Sequence, residues 1–119
     1  MLKIKQRDTF KNVVKASVMG EDGTPKQVTF KGVFKYIPRA EVDRVVDDVQ
    51  MGEIKNVDVV EQYLTGLEQV VGEDGSPMPF DEAKEAVMND AALCDAVAVS
   101  FIEGLYGAKS GNSKRLRRS

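Results

Sequence analysis

The chain has 119 residues, 42 % hydrophobic and 30 % charged, the profile of one globular domain long enough to bury a core without disulfides or metal. It contains no histidine, which excludes imidazole general bases and His-ligated zinc. Its one cysteine, Cys94, excludes an intrachain disulfide framework and suits a reducing compartment. The net charge of -2 hides a division: residues 1–37 carry +5, residues 38–108 carry -12 and residues 109–119 carry +5. An acidic body between basic ends suits charge-steered binding, or self-association between unlike regions.

The first ten residues show no clear period and read as an arm or a short edge strand. They carry Lys3, Lys5 and Arg7 with no apolar run behind them, so neither a signal peptide nor a membrane span is expected, and the protein is expected in the cytoplasm. From Lys11 the sequence alternates, with Val14, Ala16 and Val18 on one face and Lys15 and Ser17 on the other. Alternation resumes after Gly20-Glu-Asp-Gly-Thr-Pro25, with Val28, Phe30, Phe34 and Tyr36 on one face and Thr29, Lys31 and Lys35 opposite. Two alternating runs joined through Asp22-Gly23 predict an antiparallel β-hairpin. Gly32 falls on the apolar face of the second run, the mark of a bulge or a close approach.

Pro38 opens a predicted helix whose inward residues are Val42, Val45, Val46 and Val49, and Gly52 stops it. Asn56 or Asp58 is the predicted cap of the next helix, with Val59, Val60, Tyr63, Leu64, Leu67 and Val70/Val71 facing inward. Gly72-Glu-Asp-Gly-Ser-Pro77 nearly duplicates the earlier loop. The residues around it do not repeat, so the same turn chemistry is used twice without duplication of a unit. Neither loop has the alternate carboxylates of a calcium-binding loop. Asp81 is the predicted cap of a short helix, Glu82 to Met88, with Phe80 as its hydrophobic staple. Asn89-Asp90 then breaks the chain and begins a long helix to Tyr106.

In that last helix Leu93, Val97, Phe101 and Leu105 form one stripe, and Cys94, Ala98 and Ile102 lie beside it. Asp95 and Glu103 share the opposite face. So wide an apolar arc makes the helix central to the fold or covered on a second side by a partner. Residues 1–108 therefore read as a single α+β domain, an N-terminal hairpin followed by about four helices and mostly helical. Residues 109–119, which include Lys114-Arg-Leu-Arg-Arg118, read as a flexible basic tail.

No catalytic constellation stands out. The glycines lie at turns and helix ends rather than in a phosphate-binding loop, and no carboxylate pair sits in an apolar setting that would raise its pKa. Cys94 falls on the apolar side of its helix, where a thiol is inert. No enzyme activity, cofactor or metal is expected. The basic tail suits phosphate contacts, but the -12 body opposes nucleic acid binding, and no helix is basic enough to read a groove.

From residue 63 onward the order of motifs is distinctive. Gly66-Leu67 and Val70-Val71 precede Glu-Asp-Gly-Ser-Pro-Met-Pro-Phe80, then come the acid-led helix Asp81 to Met88, the stripe Leu93 to Leu105 and the ending Gly-Ala-Lys-Ser-Gly-Asn112. This resembles the tail assembly chaperones of long-tailed, lambda-like bacteriophages and prophages, and the hairpin, the acidic helices and the size agree over nearly the whole chain. The resemblance implies a cytoplasmic assembly factor of the bacterial host, absent from the mature virion, that coats the tape measure protein and recruits tail tube subunits. It also implies a longer product made by ribosomal frameshift, and Ala108-Lys109-Ser110 is compatible with an A-rich slippery run. The alternative is a structural phage protein, a tail completion or head–tail connector subunit.

A chaperone of this kind needs an apolar groove. Its expected lining is the aromatic hairpin face, Phe30, Phe34 and Tyr36, together with Phe101, Leu105 and Tyr106 at the end of the last helix. The competing expectation assigns Phe30, Phe34 and Phe101 to the intrachain core, with Leu93 and Val97. Homo-oligomers held by unlike charges are a further expectation.

Overall fold

The computed structural model describes residues 8–72 and 74–107; the expected basic tail, 109–119, lies outside the described residues. The elements run β1 (Thr9–Met19), β2 (Pro25–Lys35), α1 (Arg39–Gln50), α2 (Asn56–Tyr63), β3 (Leu64–Glu68), α3 (Phe80–Asn89) and α4 (Ala91–Leu105). β2 is the middle strand of a three-stranded antiparallel sheet of order β1-β2-β3; α4 packs against β1 and β2, α2 and α3 against β3, and α1 against α4. The α+β class and the hairpin are as expected. "Mostly helical" overstates the helices, because 45 % of the described residues are helical and 29 % are strand. Among the described residues no helix is long and apolar enough to cross a membrane.

β1 and β2 pair in unbroken register from Thr9↔Lys35 to Met19↔Pro25, so the first ten residues, expected as an arm or a short edge strand, are edge strand from Thr9. Val14, Ala16, Phe30 and Phe34 are buried on the inner face, while Lys11, Lys15, Lys31 and Lys35 occupy the outer one, as period-two alternation requires. Gly32 is the close approach that its position suggested. A Cβ there would lie 2.5 Å from the Cζ of Phe34, whose ring folds back over the glycine.

The two similar loops are the same turn. The Gly20 N–H donates to the Thr24 carbonyl at 2.8 Å and the Gly72 N–H to the Ser76 carbonyl at 2.9 Å. Gly23 and Gly75 hold φ of 83° and 81°, a conformation open to glycine at little cost. Asp22 and Asp74 each accept the backbone N–H two residues on, at 3.0 Å. Hydrogen bonds from the Thr24 and Ser76 side chains, and then these backbone bonds, hold both carboxyls below the usual carboxylate value. One loop closes the β1–β2 hairpin, and the other closes a single bridge, Val71↔Pro77.

Two expectations need correction. The second helix does not continue to Val70: α2 ends at Tyr63 and the chain passes directly into β3. Thr65 is an extra residue in β3, because Val33 faces Gly66 while Phe34 faces Leu64, and its hydroxyl donates to the Val33 carbonyl at 3.1 Å. This bulge turns Leu64 and Leu67, three residues apart, toward the same core. The Lys84 ammonium of α3 seals the transition, donating to the carbonyls of Glu61 and Leu64 at 2.7 and 3.2 Å, where the end of α2 presents unpaired acceptors and negative dipole. Beyond β3, Gln69 takes a left-handed φ of 67°. Val70 packs inward, whereas Val71 is exposed.

The second correction concerns helix starts. α3 begins at Phe80 with Pro79 as its N-cap, so Asp81 is not the cap and Phe80 is not ahead of the helix. The Ala83 N–H already bonds to the Pro79 carbonyl at 3.0 Å, and Asp81 and Glu82 complement the dipole from inside the first turn. In α2 the cap position is Lys55, and Asp58 acts from within, its Oδ2 accepting the Lys55 N–H at 2.9 Å. α1 and α4 start as expected, at Pro38 and Asp90, and the Asp90 carboxylate accepts the Leu93 N–H at 3.1 Å.

All seven elements contribute to one core, and α4 packs against β1, β2 and each of the other helices. The largest side chains with almost no exposure are Phe34, Phe101, Leu64, Val14, Val60 and Val97; burial of each contributes about 1.5–3 kcal/mol before entropy is charged against it. Five rings, Phe101 among them, form one cluster. Phe101 stacks on Tyr63 at 4.8 Å and meets Phe34 at 5.4 Å and Phe10 at 6.1 Å, with Tyr36 edge-on to Phe10 at 6.2 Å.

A candidate docking groove between α1 and α4

On the flank of α4 away from the sheet the packing stops short. α1 presents Val46 and Val49, and α4 presents Ala98, Val99 and Ile102, with Val59 of α2 at the base. None of these is large enough to close the gap between two helix axes, and an open groove of about 370 Å³ remains. Gln50, Asn56, Glu103 and Tyr106 complete its lining. Val99 stands 49 % exposed at its edge, in the middle of the stripe formed by Asp95 and Glu103.

Two hydrogen bonds bracket the groove along α4. At the C-terminal end the Tyr106 hydroxyl donates to Oδ1 of Asp43 at 2.8 Å, and Arg39 faces the same carboxylate at 3.7 Å. At the other end Asn56 donates to Oδ1 of Asp95 at 3.0 Å. The Tyr106 phenol is held above its usual pKa by burial first, then by the Asp43 bond and charge, with Asp47 adding to them. The groove is therefore apolar within and carboxylate-rich at its rim.

A second, larger hollow of about 680 Å³ lies across Val99, between β1 and α4. Phe10, Lys15, Tyr36, Asp95 and Gly104 are among its walls, and its polar character sets it apart from the groove. Chemistry is no better served elsewhere. The Cys94 thiol is buried and pushed upward, first by burial and then by Asp95, so it is not a thiolate nucleophile. Among the described residues no group of three or more His, Cys, Asp or Glu side chains is arranged to hold a metal ion.

The six side chains expected to line one binding surface are divided by the fold. Phe30, Phe34 and Phe101 are buried at 6 %, 1 % and 1 % exposure, inside the hydrophobic core. Leu105 is half-buried and packs against that core. Tyr36 is exposed beside Phe10 at the second hollow, and Tyr106 is exposed at the groove. Tyr36 and Tyr106 thus stand on different surfaces. Val46 and Val49 face inward and pack against the core as expected, yet they also line the groove; Val99, between Asp95 and Glu103, is the lining residue that the sequence reading did not single out. The available signal was Val99 itself, an isolated apolar side chain four residues from a carboxylate on either side. Comparison with known protein families, with characterised proteins and with solved structures finds no match.

Proposed function

We propose that this chain is a tail assembly chaperone of a long-tailed bacteriophage or prophage, acting in the host cytoplasm and absent from the finished particle. On this reading it shields apolar helical stripes of the tape measure protein and brings tail tube subunits to it, the latter through a longer frameshifted product. The ordered motifs from Gly66 to Leu105 support the family. The observation that carries the mechanism is the open apolar groove between α1 and α4, left unfilled in a chain whose Phe34, Tyr63 and Phe101 rings are packed together. A groove of this kind offers a surface for a partner's apolar residues and holds no reacting groups.

The test is co-expression with a tape measure fragment. The fragment should remain in the supernatant with this chain and precipitate without it, and purified virions should lack the chain. A second reading, a tail completion or head–tail connector subunit, draws on the lysines of the outer sheet face opposite the acidic helical layer, an arrangement suited to stacking in a particle. Stoichiometric retention in virions would favour it.

A further inference from the structure

We infer that the α1–α4 groove receives a cationic amphipathic helix, with apolar residues at i, i+3 or i+4 and i+7 and Lys or Arg beside them. The inference rests on the chaperone reading and adds the chemistry of the segment recognised. Shape supplies the first argument. Asp95 and Tyr106, whose hydrogen bonds bracket the groove, are eleven residues apart, or about 16 Å along a helix axis, the length of three turns of an incoming helix. The walls Val46, Val49, Val99 and Ile102 are apolar over that length. Side chains at helical spacing would bury the half-exposed Val99 and fill the gap that valine and alanine leave.

Charge supplies the second. Asp43 and Asp47 stand at the Tyr106 end and Asp95 at the Asn56 end. The cation at the Tyr106 end, Arg39, is already directed at Asp43. On the far side of Val99, Lys11 and Lys15 line the second hollow, and Lys11 is engaged by Glu68 at 2.6 Å. The rim is therefore negative and belongs to a body that carries -12 over residues 38–108. Such a field attracts a helix bearing Lys and Arg, and repels the same apolar stripe flanked by Glu. A partner read by apolar contact alone would bind either.

The experiment titrates the full chain with two labelled helical peptides that share one leucine stripe and carry Lys or Glu at the flanks. The Lys peptide should bind about tenfold or more tightly than the Glu peptide, and the preference should shrink as salt rises from about 0.1 M to about 1 M, where screening falls to about 3 Å. Val99→Gln, which leaves the charge unchanged at an exposed position, should weaken the Lys peptide about tenfold while keeping the thermal transition. Asp47→Lys should narrow the preference between the peptides. Equal binding of the two peptides, or equal binding of the Lys peptide by wild type and Val99→Gln, would overturn the inference. So would a wild-type dimer by light scattering that Val99→Gln converts to monomer, since a second copy would then own the groove. A tape measure fragment kept soluble equally by wild type and Val99→Gln would leave the chaperone reading standing and remove the groove from it. Groove binding of the Lys peptide beside a tape measure fragment that precipitates regardless would uphold the groove and end the chaperone reading.

Discussion

The two flanks of α4 are built from similar amounts of apolar sequence and end in opposite states. Toward the sheet, Phe101 is enclosed by three rings. Ser100 donates to the Val13 carbonyl at 2.8 Å, and Asn12 to the Ser100 carbonyl at 2.9 Å. Gly104 lets β1 come close, since a Cβ there would lie 2.4 Å from Cε2 of Phe10. Toward α1 there are valines, an alanine and an isoleucine, one tyrosine at the end, and an open groove. Side-chain volume and polar bonding separate the flanks, not hydrophobicity. Rings and two side chain–backbone bonds hold the helix from one side, and the other side is left open.

The sharpest way to break that contrast is Phe101→Ala. It removes the ring at the centre of the cluster, and the surrounding rings cannot all collapse into the space. Urea denaturation should show a loss of about 3–5 kcal/mol, and a loss under about 1 kcal/mol would mean the packed flank is loose in solution. Next in size is Gly104→Val, which pushes branched carbons into Phe10. Overpacking of this kind costs about 1–3 kcal/mol, and a neutral result would show that Phe10 does not rest on α4.

The same contrast explains what the sequence allowed one to read. The hairpin, the paired turns at Gly20–Pro25 and Gly72–Pro77, and the Pro38 and Asp90 helix starts were all legible, because each rests on local chemistry: alternation, a left-handed glycine, a capping carboxylate. β3 was not, for a physical reason. Inward residues in a strand normally fall two apart, but the bulge at Thr65 puts Leu64 and Leu67 three apart, which imitates a helix. The acceptor-sealing Lys84 comes from twenty residues downstream of the Leu64 carbonyl it bonds, and no local pattern reports it. The groove was hidden in the same way. Whether Val46, Val49 and Ile102 are covered depends on the distance between two helices, which their spacing does not contain.

A smaller effect separates the two tyrosines that bond to carboxylates of α1. Tyr63, on the packed flank, donates to Oε2 of Glu41 at 2.9 Å and is 4 % exposed, whereas Tyr106 at the groove is 44 % exposed. Both phenols are held above the usual value of 10.0, by burial first and the carboxylate second. A raised phenol pKa means that the folded protein keeps a proton which the unfolded chain releases. The stabilisation is therefore complete below about pH 10 and is lost as pH rises through the folded value. Comparing urea midpoints at about pH 8 and about pH 11, Tyr63→Phe should reduce the alkaline loss more than Tyr106→Phe does. Equal reductions would place the two hydroxyls in equivalent surroundings and erase the difference between the flanks.

The smallest expected change tests the open flank directly. Val46 is half-buried with its side chain lining the groove, so Val46→Leu adds one methylene where there is room. In a closed core the same addition forces neighbours off their rotamers and costs about 1–3 kcal/mol. Here it should alter stability by no more than about 0.5 kcal/mol in either direction, read as an unchanged urea midpoint. The same substitution takes volume from the groove, so it should weaken a helical peptide that docks there even though the fold is indifferent to it. A destabilisation of 1 kcal/mol or more would mean that α1 and α4 already close on each other in solution. The flank would then be core like its opposite, and the place for a partner would have to be sought elsewhere on the molecule.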